Sequence, residues 1–215
     1  MESTLADLVL PLACAGCGAP GVRWCLDCAA VLARRPVRLR PRSDPGVPCW
    51  AIAPYRGAAR RAVLAAKESG RRDVANPVGF AYALALARLR APARPLLVVP
   101  APTRRAAARR RGGDPVLRAA RVAAGWLDDC RVAPILRAGR GVRDSVGLTP
   151  RERVHNLSGR VSVCHRRVPD AEVTENAEVI VVDDVLTTGA TARESVRALA
   201  RSGLATRAVL VTCAA

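Results

Sequence analysis

Val179-Ile180-Val181-Val182-Asp183-Asp184-Val185-Leu186-Thr187-Thr188-Gly189-Ala190-Thr191 is the stretch that decides the fold of this 215-residue chain. Val179–Val182 is a run of β-branched apolar residues, as expected for a strand buried on both faces of a parallel sheet. Two carboxylates follow, then a loop of small and hydroxylated residues, then a helix. The spacing predicts that helix over Thr191–Ser202, with Ala192, Val196, Leu199 and Ala200 inward and Gly203 as its stop. Each part suits a phosphate ligand. A helix N-terminus has unpaired N–H groups and a partial positive charge. Gly189 permits a positive φ or a close backbone approach. Thr187, Thr188 and Thr191 offer hydroxyls to phosphate oxygens. Asp183 and Asp184 fall at the carboxyl end of the strand, where open α/β sheets bind ligands and where carboxylates can accept from ribose hydroxyls or order water around Mg²⁺. The string is neither a Walker loop, which ends Gly-Lys-Ser/Thr, nor a G-x-G-x-x-G dinucleotide fingerprint.

Outward from this string the pattern repeats. Ala208–Val211 is another apolar run, so strand, helix and strand form a βαβ unit and the main domain is α/β with a mostly parallel sheet. Leu96–Val99, closed by Pro100, is a further buried strand. Val78, Ala81, Tyr82, Ala85, Leu86 and Leu89 recur at helical spacing. Val63 and Leu64 belong to an earlier helix that Gly70 stops. Asp114-Pro115 is a cap followed by a helix-initiating proline, with the helix expected to run to about Leu127, and Thr149-Pro150-Arg151-Glu152 is a capping box. Arg34–Pro48, rich in Pro and Arg, is expected as a linker.

Half of the residues are apolar and only 3% are aromatic, so the core is one of Ala, Val and Leu. No apolar run approaches membrane-spanning length, which excludes an integral helical membrane protein. Leu8–Cys14 loosely resembles a lipoprotein leader, but Glu2 and Asp7 precede it and Pro11 breaks it, so the expected compartment is the cytoplasm. The net charge is +17, and of 35 basic residues all but Lys67 are Arg. Such a charge attracts phosphates and nucleic acids. The densest run is Arg104–Arg111, whose arginines suit bidentate bonds to phosphate.

Eight cysteines in a reducing compartment point to metal or buried thiols. Cys14-x-x-Cys17 and Cys25-x-x-Cys28 are two knuckles seven residues apart, each able to give two thiolates to one tetrahedral Zn²⁺. With four sulfur ligands the site is closed and structural. Cys49, Cys130, Cys164 and Cys213 are isolated and expected as packing thiols.

The Asp183–Thr191 string resembles the phosphoribosyl pyrophosphate (PRPP) motif of type I phosphoribosyltransferases. That resemblance implies ribose contacts from Asp183 and Asp184 and a 5′-phosphate loop of Thr187, Thr188, Gly189, Ala190 and Thr191. It also implies that the loop after the first core strand, with Arg104 and Arg105, meets the pyrophosphate. Together with the four-cysteine N-terminus, the chain resembles the ComF family. Leu5–Pro11, Tyr55-Arg56-Gly57 with Lys67 and Gly70-Arg71, Val99–Pro102 with Arg104-Arg105, and Gly147–Asn156 agree with it. Arg111-Gly112-Gly113-Asp114-Pro115 departs, because that family reads Arg-Gly-Phe-Asn-Gln there. The resemblance implies a four-cysteine zinc module over 1–35 and a phosphoribosyltransferase-like domain over 36–215. It also implies PRPP with Mg²⁺ as ligand, and a link to competence, with single-stranded DNA or competence proteins as partners. A catalytically active phosphoribosyltransferase is the alternative, and no residue in the sequence identifies its general base or acceptor. His155 and His165 have no partner pattern and are expected as surface or packing residues.

Overall fold

The structure is a computed structural model that describes residues 12–92, 94–103, 105–139 and 159–215. Its centre is a six-stranded sheet of β1 (Val37–Leu39), β2 (Cys49–Pro54), β3 (Leu96–Pro100), β4 (Cys130–Val132), β7 (Glu178–Leu186) and β8 (Thr206–Ala214). Their order across the sheet is β1-β2-β8-β7-β3-β4. Only β1 runs antiparallel to its neighbour. The fold is α/β with a mostly parallel sheet. Two short strands, β5 (Leu136–Ala138) and β6 (Val161–Val163), pair antiparallel apart from it.

Period-two alternation divides the strand residues between two cores. Leu96, Val98, Ile180, Val182 and Leu210 pack with α2 (Gly57–Lys67), α3 (Ala75–Leu89) and α5 (Pro115–Ala124). Leu97, Val99, Val179, Val181, Val209 and Val211 pack on the other face with α7 (Ala190–Ala200) and with β5 and β6. Leu97, Val98, Val99 and Val181 are wholly buried, each removal from water contributing roughly 1.5–3 kcal/mol. Both sheet faces are covered, which is why these strands read as unbroken apolar runs.

The connections fix where a ligand can sit. From β3 the chain crosses through α5 to β4 in one direction; from β7 it crosses through α7 to β8 in the other. Right-handed crossovers that travel in opposite directions must put their helices on opposite faces, as found here. The loops after β3 and β7 therefore diverge and leave a crevice at the carboxyl ends of these adjacent strands.

Several boundaries differ from the sequence expectation. β7 does not end at Val182 but continues to Leu186, so Asp183 and Asp184 are strand residues. Pairing with β8 sustains it, through Asp183↔Val211, Val185↔Cys213 and Leu186↔Ala214. Its other neighbour β3 stops opposite Val182, so the acidic pair projects beyond β3 along one edge of the crevice. The helix at Asp114 begins as expected, with Asp114 Oδ1 accepting from the amides of Val116 and Leu117 at 2.9 and 3.2 Å. It ends at Ala124, before Gly125, rather than near Leu127. Ala200 is exposed at the end of α7, and Ala198 takes an inward place. Arg34–Pro48 is more than a linker: it supplies edge strand β1. The capping box at Thr149 and His155 lie outside the described residues. His165 is exposed. Cys49 and Cys213 are buried, while Cys130 and Cys164 are half-buried.

Candidate functional site

Three features converge on the crevice from β7. The strand delivers Asp183 and Asp184, the loop Thr187–Gly189 turns the chain, and α7 starts at Ala190. Gly189 has φ +86°, a left-handed conformation that suits glycine. Space excludes a side chain there as well: a Cβ on Gly189 would lie 2.6 Å from the Ser43 carbonyl oxygen and 2.7 Å from Pro41. The Pro- and Arg-rich segment therefore lies directly on this loop, and Ser43 N–H donates to the Thr188 carbonyl at 2.8 Å. Sequence reasoning missed that clamp, because nothing in a proline-rich stretch specifies what it touches. The Thr188 side chain is buried and its hydroxyl accepts from Ala190 N–H at 3.3 Å, whereas Thr187 is exposed and Thr191 half-buried. The Thr191 and Ala192 amides of α7 have no intrahelical acceptor, whereas Arg193 N–H donates to the Gly189 carbonyl at 2.9 Å.

The two carboxylates part company. Adjacent strand residues point to opposite faces, so Asp183 lines a small cavity with Thr187, Thr188, Gly189 and Ala190. Asp184 lines a different cavity with Lys67, Val63, Val116 and Arg118. Asp184 Oδ2 lies 2.7 Å from Lys67 Nζ. Burial, and after it the charge of Asp184, push the Asp183 carboxyl up to about 8, against the pull of Lys67. Burial disfavours the Lys67 ammonium, but Asp184 and then Asp183 outweigh it and hold its pKa above the ordinary lysine value. Beneath the pair, the wholly buried Tyr82 donates to the Asp183 carbonyl at 2.7 Å and accepts from the Thr212 hydroxyl at 2.9 Å. Tyr82 thus fixes the backbone of the acidic pair; its helical spacing marked it only as a core residue.

Of the arginines expected here, Arg104 lies outside the described residues. Arg105 is the first residue of α4 (Arg105–Arg110), close in sequence to the end of β3. Arg109 and Arg110 are exposed, and Arg111 is half-buried.

The four cysteines of the knuckles do meet. The sulfurs of Cys14, Cys17, Cys25 and Cys28 all lie within 4.8 Å of one another, metal-binding distances. Cys14 to Cys25 is 3.7 Å and Cys17 to Cys25 is 3.5 Å, close to the edge of about 3.8 Å that a tetrahedron of 2.3 Å metal–sulfur bonds requires. Backbone amides point at the sulfurs: Gly16 and Cys25 donate to Cys14, and Ala19 to Cys17, each at 3.4 Å. Burial opposes ionisation of Cys14, yet amide donors from Cys17, Cys25 and Gly16 bring its thiol down to about 6. Cys28 goes the other way, pushed up by burial and by the neighbouring thiols. One thiolate is thus easy and four together need a cation among them, which fits a metal site. Cys25 precedes α1 (Leu26–Leu32), and Cys28 lies in its first turn.

This cluster is docked on the helix that carries Lys67. A Cβ on Gly16 would meet Cys28 Sγ at 2.5 Å and Ala58 of α2 at 3.2 Å. Arg61 of α2 donates to the Gly16 carbonyl. Arg71 donates to the Ala13 carbonyl at 2.7 Å and is itself held by Asp73 at 2.5 Å. No helix among the described residues is long and apolar enough to cross a membrane. The chain matches no protein-family model and no curated protein.

Proposed function

We propose that the chain binds a phosphoribosyl group, as PRPP with Mg²⁺, in the crevice between β3 and β7. The observation that carries this is the junction of β7 and α7: two carboxylates on β7 project beyond the end of β3 at the switch point, and after Leu186 a short loop with a left-handed glycine opens a helix N-terminus. A 5′-phosphate would sit on the Thr187–Thr191 loop, with Gly189 and Ala190 bringing backbone amides close. Asp183 and Asp184 would accept from the ribose hydroxyls, and Mg²⁺ would neutralise charge on the pyrophosphate. Arg104 and Arg105 follow β3 and would meet the pyrophosphate from the other side of the crevice. This is the arrangement that the type I phosphoribosyltransferase and ComF resemblance implies, together with the competence link; the cytoplasmic setting comes from the reading of the segment before Cys14. Exposed Arg109 and Arg110 supply a salt-sensitive surface for single-stranded DNA.

The four-cysteine cluster is proposed to hold one structural Zn²⁺. Its ligands would be all thiolate, leaving no open position for chemistry. Catalysis is the second reading, favoured by the Lys67-lined cavity beside Asp184. There a nucleophile–C1 bond would form as the C1–oxygen bond breaks and pyrophosphate leaves with the electron pair, its charge met by arginine and metal.

Thermal melts with and without PRPP and Mg²⁺ test the binding. Saturation at one hundred times the dissociation constant raises stability by about 2.7 kcal/mol. Asp183→Asn and Asp184→Asn are expected to weaken the shift. An unmoved midpoint at millimolar PRPP removes the proposal.

A further inference from the structure

The cavity on the Asp184 side has more cationic donors than its fold requires. Its floor is apolar, made by Val63, Val74, Val78 and Val116, and its walls carry Lys67, Arg71, Arg72 and Arg118. Arg71 is committed to Asp73 and to the Ala13 carbonyl. Arg72 is exposed, and among the described residues it pairs with no carboxylate. Arg118 gives Nη1 to the Gly112 carbonyl at 3.1 Å, but its Nε and Nη2 are buried without a partner among the described residues. Nε and Nη2 share one edge of the guanidinium, the edge that takes a carboxylate through two parallel bonds. Unmet donors of a buried charged group are costly, so a ligand that meets them gains that cost back. Among the described residues, the only carboxylate lining the cavity is Asp184, which Lys67 holds.

We propose that this cavity binds the carboxylate of a small apolar acid, the acid entering once a ribose phosphate has drawn Asp184 away from Lys67. The second half rests on the phosphoribosyl reading; the first half does not. An apolar body suits the valine floor, whereas the outer oxygens of a phosphate would be left facing it unpaired. The enclosed space is about 30 Å³, room for a water molecule or two. An acid therefore needs the Lys67–Asp184 pair to part, and the parting supplies Lys67 as a further cation. The cavity has an aliphatic floor and, among the described residues, offers no side-chain amide to read the edge of a nucleobase. Acid and ribose phosphate each favour the parted state, so their affinities rise together by the same factor.

Calorimetric titration of the full-length chain with benzoate, and with the neutral isostere benzamide, tests this. Asp184→Asn frees Lys67 without any ribose phosphate, and this variant should bind benzoate at least tenfold tighter than wild type. Wild type should gain the same when ribose 5-phosphate and Mg²⁺ are present. In both cases benzamide should bind at least tenfold more weakly than benzoate. Adding Arg118→Gln should abolish the preference, and Arg72→Gln should reduce it. Equal binding of benzoate and benzamide overturns the site without reliance on any variant's folding. So does an undiminished preference in both arginine variants. Pyrophosphate that displaces benzoate and depends on Arg118 more strongly reassigns the cavity to the leaving group and overturns the acid. If Asp184→Asn binds benzoate but ribose 5-phosphate does nothing for wild type, the order of binding falls and the carboxylate site stands.

Discussion

Asp183 and Asp184 are neighbours in the chain, but β7 turns them to opposite faces of the sheet, and the two faces treat a carboxylate differently. On one side Asp184 meets Lys67 at 2.7 Å and keeps a cation beside it. On the other, Asp183 sits among threonines, small residues and the start of a helix, and burial favours its protonated form. The helix that closes each side has a different anchor. Lys67 is the last residue of α2, which is pinned by the cysteine knuckles through Gly16, Arg61 and Arg71. The Asp183 side is pinned by Pro41 and Ser43 lying over Gly189. An acidic pair that reads as one unit is thus two half-sites with separate supports, and each support can be removed alone.

Removing the zinc proposed for the knuckles should have the largest effect. Loss of a bound structural zinc costs several kcal/mol where folding and metal binding are coupled. Chelation, or Cys28→Ser, is expected to strip hydrogen-exchange protection from α2 and the Arg71 turn while α7 keeps its own. Equal loss in α2 and α7 would show that the two sides share one support.

Gly189→Val attacks the opposite side. A β-branched residue at φ +86° and a Cβ against the Ser43 carbonyl should cost roughly 2–3 kcal/mol. PRPP-induced stabilisation should vanish with it, while the Lys67–Asp184 pair stays intact. Urea melts with and without PRPP read both quantities. A Gly189→Val chain that still responds fully to PRPP would separate the ligand from this loop.

Neutralising the carboxylates themselves should give smaller and opposite effects. Lys67→Met leaves Asp184 half-buried and alone, at a cost of about 1–3 kcal/mol, and Lys67→Met with Asp184→Asn should cost less than the two single changes added together. Asp183→Asn is expected to be neutral or mildly stabilising at pH 8. The sign follows from linkage. Asp183 has a folded pKa raised to about 8, above its unfolded value of about 4. The folded chain therefore holds the proton that the unfolded chain has lost, and the group's contribution to stability falls as pH rises between those values. Without ligand, the wild type should lose roughly 2 kcal/mol more than Asp183→Asn between pH 6 and pH 8. Parallel pH profiles would mean that Asp183 is ionised throughout and that the two faces are alike.

Much of this was written in local pattern. Unbroken apolar runs at 96–99 and 179–182 marked buried parallel strands, because a strand covered on both faces needs no polar side. Asp114-Pro115 announced a helix start and Gly203 a helix end through rules that act within one turn. Four cysteines at two-residue spacing named a cluster, because a metal's geometry is shorter than the segment that supplies it. What only the tertiary structure decided lies between distant segments. β7 runs four residues past Val182 because β8 pairs with it that far, and a partner strand's length is not legible in the strand itself. That extension sends Asp183 and Asp184 to separate faces. Lys67 meets Asp184, and Pro41 and Ser43 cover Gly189, across long stretches of intervening chain. The packing of its helix buries the Nε and Nη2 donors of Arg118 without a partner among the described residues. Composition and periodicity choose which side chains turn inward; the crossing of the chain at the switch point chooses which of them meet.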